Sequence, residues 1–398
     1  MPVKKLMTGF PPSPENQVTL DNWRQPPFNK WGFQHVSEIT QTAPIYNDTN
    51  NIRILKKGSS DLVDLPFNHG DQKITVSQMI EKTDADGMIV LHKGRIVLEE
   101  YRNNMTDRSR HILFSVTKSV TALVAGVLVG RGKLDPDTQI IKYIPEIADT
   151  AFGDACVRNV LDMAVGLAFD EDYTATEGPI VQYRESAGWN SRTSTPPDMH
   201  LRDFLQTMTE RNGAHGVRFS YMSPITDLLG WILERASGQR YCDLVSETLW
   251  QPMGAGYDAY MSIDNVGAPR TAGGFCATLR DLALVGQLIC DDGKRGDKQI
   301  VPAEWIADIR NNGSREQWLA GDFAEDYTDW SMRYRSKWYV TGEGNVPCFG
   351  VGIHGQFVHA NPANGVVVAQ FSSQPDAVDG DKELMVLRAC DAIGKALN

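Results

Sequence analysis

The sequence lacks the features that mark several large classes of protein. Its formal net charge is −11, and no basic stripe is present to meet the phosphates of a nucleic acid. The longest apolar stretch, Val120 to Val129, is far shorter than the roughly 20 residues of a transmembrane helix. The opening MPVKKLMTGFPPSPENQ has lysines but no apolar run behind them, unlike a signal peptide. These absences predict a soluble, cytoplasmic protein with no nucleic-acid or membrane partner.

Metal and redox motifs are also missing. None of the 6 cysteines is near enough to another to form a CxxC pair, which excludes a zinc knuckle and a thioredoxin-like site and predicts ordinary buried thiols. The 8 histidines are dispersed without ligand spacing. Neither the GxSxG elbow of α/β-hydrolases nor the HExxH of zinc proteases occurs, and nothing in the sequence points to a Ser-His-Asp triad.

The pattern of apolar residues predicts strands near both ends of the chain and helices between them. Met88 to His92 and Arg95 to Tyr101 form a predicted hairpin around Lys93-Gly94, and a long apolar helix follows from Phe114 to Gly130. The first eighty or so residues are predicted to be an extended arm over the body. This order favours an α+β fold in which an antiparallel sheet, built from both termini and flanked by helices, carries an inserted all-helical domain.

The tetrapeptide Ser115-Val116-Thr117-Lys118 is the strongest local motif for catalysis. On a helix, side chains at i and i+3 lie about 5–6 Å apart at Cβ, so the serine hydroxyl and the lysine amine can meet. Burial among apolar neighbours would lower the lysine pKa and favour the neutral amine that a base requires. The tetrapeptide alone is equally compatible with a serine that caps the helix and a solvated lysine one turn later.

Two further segments favour the catalytic interpretation. Tyr221-Met222-Ser223 lies in a loop before a predicted helix, where the tyrosine can share a proton with the lysine and protonate a leaving group. Gly350-Val351-Gly352-Ile353-His354-Gly355 matches GxGxxG, but a predicted strand follows it and no βαβ unit surrounds it, which excludes a dinucleotide site. We instead expect an edge strand there, with the Ile353 N–H as an oxyanion donor.

With these three motifs in order, the sequence resembles the serine β-lactamase and penicillin-binding-protein superfamily. It is similar to class C β-lactamases and family VIII carboxylesterases, and more so to the 6-aminohexanoate-dimer hydrolases. The similarity covers most of the chain. It is carried by the following segments: Leu20 to Trp23, Gln25 to Pro27, Asn29 to Trp31, Ser115 to Ser119, Asp170 to Tyr173, Ser186 to Trp189, Tyr221 to Ser223 and Gly352 to Gln356.

The resemblance implies an α/β domain, formed by residues 1–135 and 280–398, beside a mainly helical domain of residues 136–279, with the active site in the cleft between them. Ser115 would attack an acyl carbon with Lys118 as base, Tyr221 would pass the proton to the leaving group, and the N–H groups of Ser115 and Ile353 would hold the oxyanion. No metal or organic cofactor is implied, and a homodimer is plausible for this branch.

The sequence departs from the family near the substrate. The β-lactamase motif Lys-Thr-Gly is replaced by Ile353-His354-Gly355, which disfavours efficient β-lactamase activity. Arg184 stands where an aspartate accompanies amide substrates with a free amine; it would repel an ammonium and could recognise a carboxylate or carbonyl. Ala272 replaces an asparagine-like residue and Tyr339 a tryptophan. The predicted substrate-binding set is Tyr173, Arg184, Trp189, Ser223, Ala272, Tyr339 and His354.

The sequence therefore predicts a serine hydrolase that cleaves small esters, and amides as a second class, through an acyl-serine. Two alternatives stay open. The same centre could pass its acyl group to an alcohol or amine, as an acyltransferase does, or the chain could be a non-catalytic acyl- or peptidoglycan-binding protein.

Overall fold

A computed structural model describes residues 5–398 of the chain. The strands are β1 (Thr42–Ile45), β2 (Lys56–Lys57), β3 (Pro66–His69), β4 (Gln72–Thr75), β5 (Ala85–His92), β6 (Arg95–Tyr101), β7 (His111–Ile112), β8 (Ala259–Ser262), β9 (Phe275–Ala277), β10 (Lys294–Arg295), β11 (Lys298–Gln299), β12 (Met332–Arg335), β13 (Trp338–Thr341), β14 (Cys348–Gly352), β15 (Gln356–Asn361) and β16 (Val366–Ser372).

The helices are α1 (Asn29–Gly32), α2 (Val76–Lys82), α3 (Val116–Gly130), α4 (Val157–Leu161), α5 (Pro179–Ser186), α6 (Leu201–Gln206), α7 (Ser223–Ser237), α8 (Tyr241–Val245), α9 (Gln251–Met253), α10 (Leu279–Cys290), α11 (Ala303–Asn311), α12 (Arg315–Leu319) and α13 (Gly380–Ala396). Short 3₁₀ turns and one π-helical turn, Ser246–Trp250, join them. Among residues 5–398, no helix is both long and apolar enough to cross a membrane.

The main sheet has eight strands in the order β12-β13-β14-β15-β16-β5-β6-β2, and every neighbouring pair is antiparallel except β2 with β6. Its centre joins the two ends of the chain, because β16 pairs with β5 from Val366 opposite His92 onward. Residues Met88 to Leu91 and Val366 to Ala369 are buried without alternation, so both faces of this part of the sheet are covered. The predicted antiparallel sheet built from both termini is confirmed.

Helices α10 and α3 fix the position of the site relative to the sheet. Helix α10 packs against β5, β15 and β16, and Gly286 permits the close approach, because a Cβ there would lie 2.6 Å from Val367 Cγ1. Helix α3 contacts β14 and α7 and is buried from Val116 to Leu128. A mainly apolar helix that is buried on all sides belongs to the core, and Ser115 directly precedes this one.

The region between the two parts of the main sheet is helical from α4 to α9 and ends in two strands. Strands β8 and β9 pair with β1 and β7, giving a second sheet in the order β1-β8-β9-β7. The end of the predicted insertion 136–279 is thus tied to residues of the first segment. The division of the chain at 135 and 279 remains a prediction.

The arm before β1 packs over the beginning of α3. Trp23 and Phe33 are buried in a small apolar cluster with Phe114 and Trp189. The Trp23 ring stacks on Phe114 at 6.2 Å and meets Trp189 edge-on at 5.6 Å. Since Phe114 directly precedes Ser115, the arm contacts the surroundings of the candidate nucleophile.

Candidate active site

Ser115 occupies the residue before α3, with helical backbone angles, φ −67° and ψ −12°. Its hydroxyl makes no capping bond to the helix, and its Oγ lies 2.7 Å from Lys118 Nζ, from which it accepts a hydrogen bond when the lysine is the charged ammonium. The interpretation of Ser115 as a helix cap is therefore not supported. The preceding residue, Phe114, has φ +41°, a left-handed conformation that costs an aromatic residue about 1–3 kcal/mol and is held here by the aromatic cluster.

Lys118 is almost completely enclosed, with 1% of its surface exposed. Its Nζ contacts three oxygens: Ser115 Oγ, Ser223 Oγ at 3.0 Å and the Ala272 carbonyl at 2.8 Å. Burial lowers its pKa to about 8, with Arg270 acting in the same direction and Glu171 and Asp227 opposing it. A lysine with this pKa supplies a substantial fraction of neutral amine near neutral pH.

The partners of Lys118 decide where its lone pair points. The Ala272 carbonyl can only accept, and the Ser223 hydroxyl donates its one hydrogen to Glu171 Oε1, so it too accepts from Lys118. A neutral amine has two N–H bonds, and both are committed to these oxygens. The remaining direction faces Ser115 Oγ. The geometry therefore turns the lone pair towards the hydroxyl that a base would deprotonate.

A second, fully buried group holds the Ala272 carbonyl in place. The Asp227 carboxylate accepts from the Ala272 N–H at 2.8 Å and from the Tyr183 hydroxyl at 2.5 Å, and it forms an ion pair with Arg270. Sequence reasoning missed Asp227, Arg270 and the role of Glu171. Only Asp227 had a sequence signal, since it lies four residues after Ser223 on the same face of α7.

Tyr221 lies on the other side of Ser115. Its hydroxyl forms a hydrogen-bonding contact with the Ser115 side chain, and Lys118 Nζ lies 5.0 Å from the centre of its ring. Burial, together with the nearby Glu171, raises the pKa of Tyr221 far above its usual value. The phenol therefore stays protonated and can donate a proton, whereas Lys118 is the better base.

The end of β14 brings a second backbone donor beside Ser115. Gly352 is pressed against the residues before α3, because a Cβ there would lie 2.6 Å from Leu113 O and 3.0 Å from Ser115 N. Neither the Ser115 N–H nor the Ile353 N–H pairs with another group within residues 5–398. Two free N–H groups next to a hydroxyl form an arrangement that can bind a carbonyl oxygen as it gains negative charge.

Two cavities meet at Ser115, and both are lined by Ser115, Tyr173 and Ile353. The wide cavity, about 480 Å³, extends past Tyr221 and Tyr339 towards α13. The narrow cavity, about 30 Å³, extends towards the arm and α5. A carbonyl group placed at Ser115 would therefore send its two substituents into different cavities.

The structure brings six of the seven predicted substrate-binding residues to these cavities. Arg184, Trp189, Ser223 and Ala272 line the narrow cavity, Tyr339 lines the wide one and Tyr173 lines both. His354 lines neither. Its Nδ1 lies 2.8 Å from Gln374 O, its ring packs near Phe33 and Phe114, and burial lowers its pKa to about 4.

A further lining residue that sequence reasoning missed comes from the arm. Arg24, from the arm, reaches the narrow cavity and donates a hydrogen bond to Asn190, 166 positions further along the chain. No sequence pattern connects residues so far apart. Among residues 5–398, no three His, Cys, Asp or Glu side chains are grouped as a metal site would require.

The fold defines a class of protein, the β-lactamase-like hydrolases. The β-lactamase sequence profile matches residues 75–389, and the chain therefore belongs to the β-lactamase family. The 6-aminohexanoate-dimer hydrolase of Paenarthrobacter ureafaciens is 31% identical over 372 residues, which cover 92% of this chain and 91% of that protein. These findings confirm the family predicted from the motifs.

Solved structures agree. A structure from Bacillus anthracis, provisionally named a 6-aminohexanoate-dimer hydrolase, matches with a TM-score of 0.87 and 25% identity over 97% of this chain and 98% of that one. A family VIII carboxylesterase matches with a TM-score of 0.59 and 16% identity over 81% of this chain and 95% of that one, a likeness of fold.

Proposed function

We propose that the protein hydrolyses small esters and amides through a covalent acyl-serine on Ser115. The observation that carries this proposal is the orientation of Lys118, whose two N–H bonds are committed to Ser223 and Ala272. Its lone pair then faces the Ser115 hydroxyl, and the buried amine is partly neutral near pH 7. A serine with such a base is an activated nucleophile.

The reaction follows from the positions of these groups. Ser115 Oγ bonds to the acyl carbon while its proton passes to Lys118, and the carbonyl oxygen takes the negative charge beside the N–H groups of Ser115 and Ile353. The proton passes through Tyr221 to the departing alcohol or amine as its bond to carbon breaks. Water then attacks the acyl carbon and gives a proton to the Lys118–Tyr221 pair. That proton returns to Ser115 Oγ as its bond to the acyl carbon breaks and the acid is released.

The relatives support amides as well as esters. The Paenarthrobacter protein is named for hydrolysis of a 6-aminohexanoate dimer, and a family VIII carboxylesterase has the same fold. In this chain the phenol of Tyr221, kept protonated by burial, can supply the proton that an amine leaving group needs. Tyr173, Tyr339 and the residues of the narrow cavity would contact the rest of the substrate.

The test is hydrolysis of p-nitrophenyl acetate and the matching p-nitroanilide by wild type and Ser115→Ala, with Ser60→Ala as the matched control in an exposed loop. We expect the Ser115 variant to fall to background, a loss on the order of 10⁴-fold or more, and Ser60→Ala to match wild type. Mass spectrometry of quenched wild type should show the acyl group on Ser115. Equal activity of wild type and Ser115→Ala would refute the proposal, as would binding without turnover.

A further inference from the structure

The narrow cavity beside Ser115 is lined by three arginines and one carboxylate. Arg270 is paired with Asp227 behind the cavity wall, and Glu171 is engaged by Ser223 and Tyr173. The other two arginines, Arg24 and Arg184, form no ion pair with any carboxylate of residues 5–398. The cavity thus holds two guanidinium groups without an ion pair, and Glu171 and Asp172 offset only part of the charge of Arg184.

Both unpaired arginines are held by neutral groups. Arg184, on α5, is 7% exposed and donates to the carbonyls of Asp172 and Ala175 at 3.1 and 3.3 Å. Arg24 donates to the Asn190 side chain and lies 5.5 and 6.0 Å from the ring centres of Trp23 and Trp189. A guanidinium has five N–H donors, so each retains donors for a ligand.

Electrostatics favours an anion at this position. The pKa of Arg24 is lowered to about 9 by burial and by the positive charges of Arg184 and Arg270. Withdrawing a charged group from water without a counter-ion costs free energy. A carboxylate bound in the cavity would supply that counter-ion and lower the cost. Planar guanidinium groups also match the planar carboxylate in hydrogen-bond geometry. An ammonium group would be repelled here.

The chemistry at Ser115 decides which part of the substrate enters this cavity. Tyr221, the proposed proton donor to the leaving group, lines the wide cavity and not the narrow one. The leaving group must therefore lie on the wide side. The acyl chain, attached to the same carbonyl carbon, is directed towards Arg24 and Arg184.

We propose that the natural substrate has an acyl group ending in a carboxylate, which Arg24 and Arg184 bind. The substrate class is half-esters or half-amides of short dicarboxylic acids, and the inference rests on the proposed acyl-serine chemistry. The cavity is far smaller than the one on the leaving-group side, which favours a short acyl chain. Arg24 and Arg184 would then determine specificity without contact with the reacting bond.

The experiment compares two series of p-nitrophenyl esters. One carries dicarboxylic acyl groups, succinyl to adipyl, and the other carries the neutral acyl groups with the same number of carbons, butyryl to hexanoyl. The ratio of kcat/KM for the two members of each pair is measured in wild type, Arg24→Gln and Arg184→Gln, with spontaneous hydrolysis subtracted. Arg131→Gln, an exposed arginine at the far end of α3, is the matched control for loss of one positive charge.

We expect wild type to prefer the anionic member of at least one pair, and each cavity variant to reduce that ratio roughly 10- to 100-fold. Arg131→Gln should keep the wild-type ratio. Arg184 also holds a loop through two carbonyls, so replacing it with glutamine changes both structure and charge. Two variants separate these effects: Arg24→Gln removes a charge without touching that loop, and Arg184→Lys keeps the charge. Competitive inhibition by free adipate or succinate, weakened in Arg24→Gln, gives a readout independent of turnover.

A wild-type enzyme that prefers the neutral member of every pair would overturn the proposal. An anionic preference that survives in both Arg24→Gln and Arg184→Gln would also overturn it. Failure of the underlying chemistry gives a different result, since both series would then be inert in wild type or equally active in Ser115→Ala.

Discussion

The two cavities that meet at Ser115 differ in size, in charge and in the segments that build them. The narrow one lies under the N-terminal arm and is lined by Arg24, Arg184 and Arg270. The wide one lies against the C-terminal helix and is lined mainly by apolar and aromatic side chains, together with Glu325, Asp326, Asp379, Lys382 and Glu383. A small pocket with unpaired arginines is selective, whereas a roomy and mainly apolar one accepts many shapes. The comparison suggests strict recognition of the acyl group and permissive recognition of the leaving group.

The substitution Gly352→Ala tests whether one reacting centre serves both cavities. A Cβ at this position would press on Leu113 O and on Ser115 N, displacing one oxyanion donor from the other. We expect kcat to fall about 10²–10³-fold, the usual loss for one such donor. The loss should be equal for substrates that differ only in acyl group and for those that differ only in leaving group.

Steady-state kinetics on the two p-nitrophenyl ester series, and on acetate esters with different leaving groups, measures this, with circular dichroism to verify the fold. Gly256→Ala serves as the control, because φ is not positive at either glycine and a Cβ at Gly256 would meet only Asp281 Oδ1, at an ordinary contact distance of 3.6 Å. A loss confined to one series would show that Gly352 shapes a cavity instead of the oxyanion site.

The pH profile tests the base at the junction. Below its pKa of about 8, Lys118 is protonated and Ser115 has no acceptor for its proton, so kcat/KM should rise about tenfold per pH unit up to pH 8 and then level off. That is a change of about 50-fold between pH 6 and pH 8, because half of the amine is neutral at its pKa. Glu171 raises the pKa of Lys118, so Glu171→Gln should move the inflection to lower pH as well as reduce the rate.

The measurement is kcat/KM from pH 5 to 10 with acetate esters, which place no charge in either cavity. An inflection that stays at the same pH in Glu171→Gln would assign the titration to a group other than Lys118.

The smallest effect is expected in the wide cavity. Burial and Asp326 raise the pKa of Glu383 to about 8, so its carboxyl is neutral below that pH and negative above it. Glu383→Gln should therefore change kcat/KM less than about threefold at pH 7. At pH 9, where only wild type carries the charge, wild type should favour a cationic leaving group by a few-fold.

Acetylcholine and its neutral analogue 3,3-dimethylbutyl acetate provide the matched pair for this measurement, and the ratio of their kcat/KM values is compared at pH 7 and pH 9. A ratio that does not change with pH in wild type would show that Glu383 does not face the leaving group.

The sequence was most informative where function depends on local spacing. Ser115 and Lys118 are one helical turn apart, and Tyr221 with Ser223 starts a second helix, so both patterns are visible in a few residues. The arginine cavity was only partly predictable, because Arg24 approaches α5 through contacts between distant parts of the chain. Glu171 acts through Ser223 and Asp227 through Ala272, and the one sequence signal for these indirect roles is the spacing of Asp227 from Ser223.

For His354, local sequence was a poor guide to the position of the side chain. His354 follows the predicted oxyanion donor Ile353 directly, in the segment that replaces Lys-Thr-Gly, and was predicted to bind the substrate. In the structure His354 has φ +60°, and its ring packs among Phe33 and Phe114 while Ile353 stays at the cavity. A single residue of left-handed backbone is enough to send neighbouring side chains to different surroundings, and sequence pattern alone does not reveal it.

The construction of the cavities from opposite termini has a consequence for biosynthesis. Of the residues that line the two cavities, Arg24 is synthesised first, and those of α13, with Lys382 and Glu383, are synthesised last. Strand β16, the central partner of β5, is made only after residues 93–365, which separate the two strands. The nascent chain therefore cannot complete both cavities until α13 has been made, and Ser115 lacks its full surroundings before that point.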